Sequence, residues 1–212
     1  MGLAGTILAA GESTRMGREK ALLPWPASTQ NLNSSLDPAL PAGTLLSAAI
    51  EAFSQYCDLV IVVVGKNQAK LAPVVYSCGA FLAVNTAPER GQFSSLQIGL
   101  NEVINRGRDA AMITLVDRPP ARTATLNILS EAFETRERKT WAVIPEFQGR
   151  HGHPILIGIE LIELFRKSPA TANARDLEHA NQQHIAYLPV DDSRVTMNIN
   201  TPEDYAALAS GL

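Results

Sequence analysis

Short apolar runs separated by amphipathic stretches constrain this chain more than any other feature. Residues 3–10, 59–64 and 110–116 read as strands that are apolar along their length. That pattern belongs to central parallel strands covered on both faces, not to strands with one wet side. Between them lie stretches with helical spacing: 45–56, 67–76 and, most cleanly, 94–106. In the last, Leu96, Leu100, Val103 and Ile104 form one stripe, with Asn101, Glu102 and Asn105 largely opposite. A further short strand is expected at 81–84 and a helix at 123–134. Strands at 141–145 and 154–157 flank a polar turn. Short helices at 159–166 and 175–180, a strand at 184–190 and a closing helix at 202–209 complete the series. Thr201 is a suitable N-cap for that last helix, with Pro202 at its first position. Strand–helix alternation of this kind predicts an α/β fold with a mostly parallel sheet.

With 212 residues and 46% hydrophobic content, residues 1–212 are expected to form a single domain. The net charge of −3 argues against nucleic acid as a partner, because such binding shows as a basic surplus. Cys57 and Cys78 form no CxxC and no zinc-finger spacing, so a reducing, cytoplasmic setting is expected. No apolar run reaches membrane-spanning length, and no membrane partner is expected. Residues 24–43 break the rhythm with Pro24, Pro26, Pro38 and Pro41 around a polar middle. They read as a long loop insertion, either a lid or a disordered segment.

The first strand runs directly into Leu8-Ala9-Ala10-Gly11-Glu12-Ser13-Thr14-Arg15-Met16-Gly17-Arg18-Glu19-Lys20. A Gly-bearing loop leaving a parallel strand exposes backbone N–H groups that cradle phosphates, and Arg15 and Lys20 add positive charge there. The spacing fits neither the Walker A loop nor GxGxxG. Asp117, in Leu115-Val116-Asp117-Arg118-Pro119-Pro120, falls at the carboxyl end of another apolar strand, where ligands of open α/β sheets bind. A carboxylate there serves equally as a turn cap or as a ligand for Mg²⁺. Other polar clusters are Gly91-Gln92-Phe93-Ser94-Ser95-Leu96, Gly149-Arg150-His151-Gly152-His153-Pro154 and Asn198-Ile199-Asn200-Thr201-Pro202-Glu203-Asp204. The His-Gly-His pair lacks a third ligand at zinc spacing.

Taken together these segments resemble the MobA-like NTP transferases, which include molybdenum-cofactor cytidylyl- and guanylyltransferases. The resemblance is strongest in LAAG-x-S-x-R-M-G-x-x-K and extends to about Asp204. It implies a three-layer α/β/α Rossmann-like nucleotidyltransferase fold with a mostly parallel mixed sheet. It also implies Mg²⁺-dependent transfer of a nucleoside monophosphate from an NTP to a phosphorylated acceptor. Arg15, Lys20 and Asp117 are then the catalytic residues. Leu8, Ala9, Ala10, Gly11, Ser13, Gly17, Ser94 and Ser95 are nucleotide-binding, and Arg150 and His153 face the acceptor. Asp117 and Asn200 are the metal ligands. Ala9-Ala10-Gly11 resembles the cytidylyl type, which favours CTP over GTP, with a molybdopterin-type acceptor. This chain departs from the family pattern at Val116, where Gly is usual, at Arg118 and Pro120, and at Asn198, where many members carry Asp. A sugar- or alcohol-phosphate acceptor, and a non-catalytic nucleotide-binding module, are the competing readings.

Overall fold

The computed structural model describes residues 2–11, 13, 16–27, 43–169 and 171–211. Its sheet is built from β1 (Leu3–Ala9), β2 (Leu59–Val64), β3 (Phe81–Val84), β4 (Ala110–Leu115), β5 (Ala142–Phe147), β6 (Arg150–His151), β7 (Ile155–Gly158) and β8 (Ile185–Pro189). The strand order is β3-β2-β1-β4-β7-β5-β6, and β8 lies parallel to β5. Strands β3, β2, β1 and β4 are mutually parallel, and β7 enters antiparallel to both β4 and β5. The sheet is therefore mixed and mostly parallel, as the alternation of apolar runs predicts. β6 is new: the polar turn expected between two strands contains a short strand of its own, with Glu146 opposite His151.

The described residues also form the helices α1 (Leu45–Ser54), α2 (Gln68–Ser77), α3 (Gln92–Asn105), α4 (Thr123–Glu134), α5 (Ile159–Lys167), α6 (Ala174–Ala180) and α7 (Pro202–Gly211). Successive strand residues point to opposite faces, so β1, β2, β4 and β7 each feed two cores. Ile7, Val62, Met112 and Leu156 join Leu46, Ile50, Leu71 and Leu129 on the face of α1, α2 and α4. Leu8, Val63, Ile113 and Ile157 join Phe93, Leu100, Leu161 and Phe165 on the face of α3 and α5. Gly99 lets α3 approach β1, since a Cβ there would lie 2.6 Å from Thr6 Cγ2.

A third, smaller core decides the position of the site. Met16 and Leu23 from the segment after β1, and Leu45 from α1, pack with Ile199, Tyr205 and Leu208. The Tyr205 hydroxyl donates to the Pro24 carbonyl at 2.7 Å, within the same cluster. The entrance to α7 is closed reciprocally. Thr201 Oγ1 accepts from the Asp204 N–H, and Asp204 Oδ2 accepts from the N–H groups of Asn200 and Thr201 at 2.8 and 2.9 Å. These bonds to its charged form hold the Asp204 carboxyl below its ordinary range. The expected lid or disordered loop at 24–43 falls largely outside the described residues. At its two ends, Pro24 bridges to Thr44, and Thr44 caps α1 by accepting from the Ser47 N–H.

Candidate functional site

The carboxyl ends of β1 and β4 adjoin one another, because Leu8 pairs in register with Leu115. The chain leaves β1 through Ala10 and Gly11 and leaves β4 through Val116 and Asp117. The two exits therefore open onto one place. There a cavity of about 200 Å³ is lined by Leu8, Ala10, Gly11, Ser13, Lys20, Gln92, Ser95 and Asp117, among others. Of the residues expected to bind nucleotide, Leu8, Ala10, Gly11, Ser13 and Ser95 line it, and Ala9 and Gly17 do not. Arg15 lies outside the described residues.

The loop holds its shape by local bonding. Ser13 takes φ of +51°, a left-handed value uncommon for a residue with a side chain, and its Oγ accepts from the Lys20 N–H at 3.1 Å. Asn67, just before α2, donates to the Ala9 carbonyl at 2.8 Å and to Glu19 Oε1 at 3.2 Å, tying the loop to the end of β2. Lys20, 8% exposed, is delivered by a single helical turn at Lys20–Leu22. Its Nζ lies 3.0 Å from Asn200 Oδ1 and 3.5 Å from Asp117 Oδ2. Asn200 reaches this position because the Ile199 N–H donates to the Asp117 carbonyl at 2.7 Å, while Asn198 is exposed. Lys20, Asp117 and Asn200 thus meet although they are far apart in the chain.

Asp117 Oδ1 is buried and has no hydrogen-bond partner among the described residues. A buried carboxylate oxygen without a donor is costly, and a hard cation is a natural way to satisfy it. Among the described residues no cluster of three or more His, Cys, Asp or Glu side chains could cage a metal alone. That agrees with the habit of Mg²⁺, which binds through one or two protein oxygens together with substrate phosphates and water. The residues present fit such an ion.

Ser94 and Ser95, both expected to bind nucleotide, are held differently. Helix α3 begins two residues early, at Gln92, with Gly91 as N-cap at φ +94°. The Ser94 hydroxyl donates to the Gly91 carbonyl at 2.7 Å, and Ser94 does not line the cavity. Both serine hydroxyls accept from the side chain of Asn85, each at 2.9 Å. Asn85 is 3% exposed and also accepts from the Ala87 N–H. This amide, which sequence reasoning passed over, fixes the rim formed by Pro88, Gly91 and Gln92. Its one signal was an Asn placed directly after a strand on the ligand-binding edge.

A second cavity, of about 690 Å³, adjoins the first through Leu8, Gln92 and Leu115. Arg150 and His153 line it, as do Arg118, Arg175 and Glu178. Arg150 and His153 were both expected to face the acceptor, and His153 lines this cavity without charge. Its ring touches the cavity but is otherwise enclosed, and burial together with nearby Arg118 pushes its pKa down to about 3. It is therefore neutral near pH 7 and contributes at most a hydrogen bond. Glu178 is shifted the other way, to about 7, by burial.

Residues 5–186 match the MobA-like NTP transferase domain. The molybdenum cofactor cytidylyltransferase of Escherichia coli K12 is 24% identical, over 94% of this chain and 91% of its own length. A probable molybdenum cofactor guanylyltransferase of Mycobacterium avium is 29% identical, over 99% and 96%. Rv0371c of Mycobacterium tuberculosis H37Rv superposes with a TM-score of 0.79 at 22% identity over the whole of both chains. A structure of that protein in complex with manganese superposes at 0.73 and 19%, also over the whole of both chains.

Proposed function

This chain belongs to the MobA-like NTP transferase family and is a nucleotidyltransferase, and on that footing we propose that it transfers CMP from CTP to a phosphorylated small-molecule acceptor of the molybdopterin class, with Mg²⁺. The observation that carries this reading is the convergence of Gly11, Ser13, Lys20 and Asp117 on one cavity. In the reaction an acceptor phosphate oxygen forms a bond to the α-phosphorus of the NTP. The α–β bridging bond breaks, and pyrophosphate leaves with the electron pair. The attacking oxygen is already ionised at neutral pH, so no general base is required. Positioning and charge neutralisation supply most of the rate.

Each residue then has a task. The N–H groups of Ala10, Gly11 and Ser13 and the N-terminal turn of α3 cradle the nucleotide, with Ser95 held in place by Asn85. Lys20 offsets charge on the α-phosphate and the leaving pyrophosphate, and Arg15 is assigned the same role from its loop. Asp117 and Asn200 would hold the metal, which when bound offsets phosphate charge and fixes the α-phosphoryl group for in-line attack. The larger neighbouring cavity receives the acceptor, with Arg150 on its wall.

Ala9-Ala10-Gly11 supports CTP, while the higher identity of the guanylyltransferase relative favours GTP. Pyrophosphate release measured with each NTP, Mg²⁺ or Mn²⁺, and a panel of molybdopterin and sugar-phosphate acceptors tests the reading. Turnover is expected with CTP and the pterin acceptor. Undiminished turnover in Asp117→Ala would remove the metal assignment, and absence of turnover with every pair would remove the activity.

A further inference from the structure

The two edges of the sheet are finished differently. At one, β8 ends in Pro189 and the chain runs on into Asp191, features that keep an open strand from pairing with another chain. At the other, β3 pairs with β2, and among the described residues no strand lies beyond it. Residues 77–87, which contain β3, hold no charged residue and no proline. Three of the five large hydrophobic side chains exposed among the described residues gather there. Tyr76, in the last turn of α2, is 63% exposed, and Phe81 and Val84 in the strand are 41% and 37% exposed. An open edge of this kind is a template for a further strand, and natural edges are blunted where they are not used.

The backbone specifies how that strand pairs. The Asn85 N–H donates to the Val64 carbonyl at 2.7 Å, so the odd-numbered positions of β3 turn their backbone groups to β2. Those of Leu82 and Val84 therefore point away from the sheet. Ala80 comes before them in that series, but its N–H is already committed to the Val75 carbonyl at 3.0 Å. What remains is a short ladder, Leu82 and Val84 on either side of Ala83. Set antiparallel on an identical ladder about a two-fold at Ala83, Leu82 of each chain exchanges both of its backbone bonds with Val84 of the other. Leu82 packs towards the core beneath α1, α2 and α4, and alternation puts Val84 on that same face. The pairing thus keeps both layers in register from one copy to the next. Two copies related by a two-fold also bring like charges together, so an edge that pairs with itself must carry none.

We infer that β3 is the docking edge for a second copy of this chain, giving a two-fold dimer whose sheet runs on through the paired β3 strands. The inference does not depend on the nucleotidyl-transfer reading. An isologous contact requires one patch to complement itself, and here the free backbone groups, the faces and the absence of charge all do so. The ladder is short and the contact small, so the dimer is a dissociable one, with Kd on the order of 10⁻⁵ M.

Sedimentation velocity over a protein range of about 1–300 µM tests it. The unmodified chain is expected to pass from monomer to dimer across that range. Val84→Pro removes an N–H that only the second copy uses and leaves the bonds to β2 in place. Val84→Lys sets a charge on the same edge. Both should remain monomeric at the highest concentration, and a thermal melt of each checks the fold; if the proline variant is unfolded, the lysine variant carries the comparison. Ala83→Cys, in a Cys78→Ser background, should oxidise to a covalent dimer, because a non-hydrogen-bonded antiparallel pair holds its Cα atoms about 4.5 Å apart. An unmodified chain that stays monomeric throughout would overturn the inference and leave the edge to a strand of some other protein. A dimer that the folded Val84 variants retain, or one that Ala83→Cys fails to link, would overturn it as well and place the contact elsewhere on the surface.

Discussion

Lys20 presents its ammonium to an amide oxygen at 3.0 Å and to a carboxylate oxygen at 3.5 Å, largely shielded from water. On the proposed function Lys20→Ala removes a charge that offsets the phosphates, and a fall in kcat/KM of about 10²–10³ is expected with the fold intact. Steady-state kinetics beside a thermal melt checks it. His153 and Glu178 carry opposite pH signatures. His153, depressed from 6.5 to about 3, contributes stability that is complete above pH 6.5 and is lost as pH falls towards 3. Glu178, raised from 4.5 to about 7, contributes stability that is complete below pH 4.5 and is lost as pH rises through 7. Glu178→Gln should therefore flatten the decline in Tm between pH 5 and 8, and an unchanged Tm profile would refute the assignment. At this scale the sequence was legible in position rather than in role: Lys20 and Asp117 each follow a predicted strand, and both line one cavity. The bonds of Arg118 to the Val195 and Met197 carbonyls were not legible, because adjacency to Asp117 says nothing of them. Nor was the neutrality of His153, since burial of its ring depends on chain segments remote from it.

Periodicity carries the elements further than it carries their ends. Each expected strand and helix within the described residues is present, with bounds moved by a residue or two. The start of α3 was misplaced because the apolar stripe begins only at Leu96, whereas the helix starts at Gln92 behind Gly91 at positive φ. The strand β6 escaped because two residues hold no periodic signal. Gly99 tests how tightly α3 must lie on β1. Gly99→Val forces a side chain into Thr6 and is expected to cost about 1–3 kcal/mol, read from urea unfolding. Asp192, fully buried, joins the entry of α4 to the segment before α7. It accepts from the Arg122 N–H at 2.8 Å, the Thr125 hydroxyl at 2.9 Å and the Arg194 N–H at 3.1 Å. Asp192→Ala strands those donors and should cost about 2–3 kcal/mol in the same measurement.

Across the whole molecule the parallel strands bring Gly11, Ser13 and Asp117 to one edge, and this much follows from alternation alone, because open α/β sheets bind ligands there. What alternation does not convey is the route by which Asn200 arrives. That depends on the small core of Met16, Leu23, Leu45, Ile199, Tyr205 and Leu208, whose members come from distant parts of the chain and share no local pattern. A chain ended before residue 197 keeps both large cores and is expected to retain its far-ultraviolet circular dichroism while losing turnover. Loss of the dichroism as well would mean that α7 supports the entire fold.

The docking of α7 also sets a timetable. Synthesis runs from the amino end, so Lys20 and Asp117 emerge from the ribosome long before Asn200, and a nascent chain can assemble its sheet while its reaction centre stays incomplete. Only a polypeptide translated past Tyr205 clamps Pro24 and brings the amide to the lysine. Where the sheet folds without α7, fragments left by interrupted translation would lack the proposed reaction centre and would not consume nucleotide.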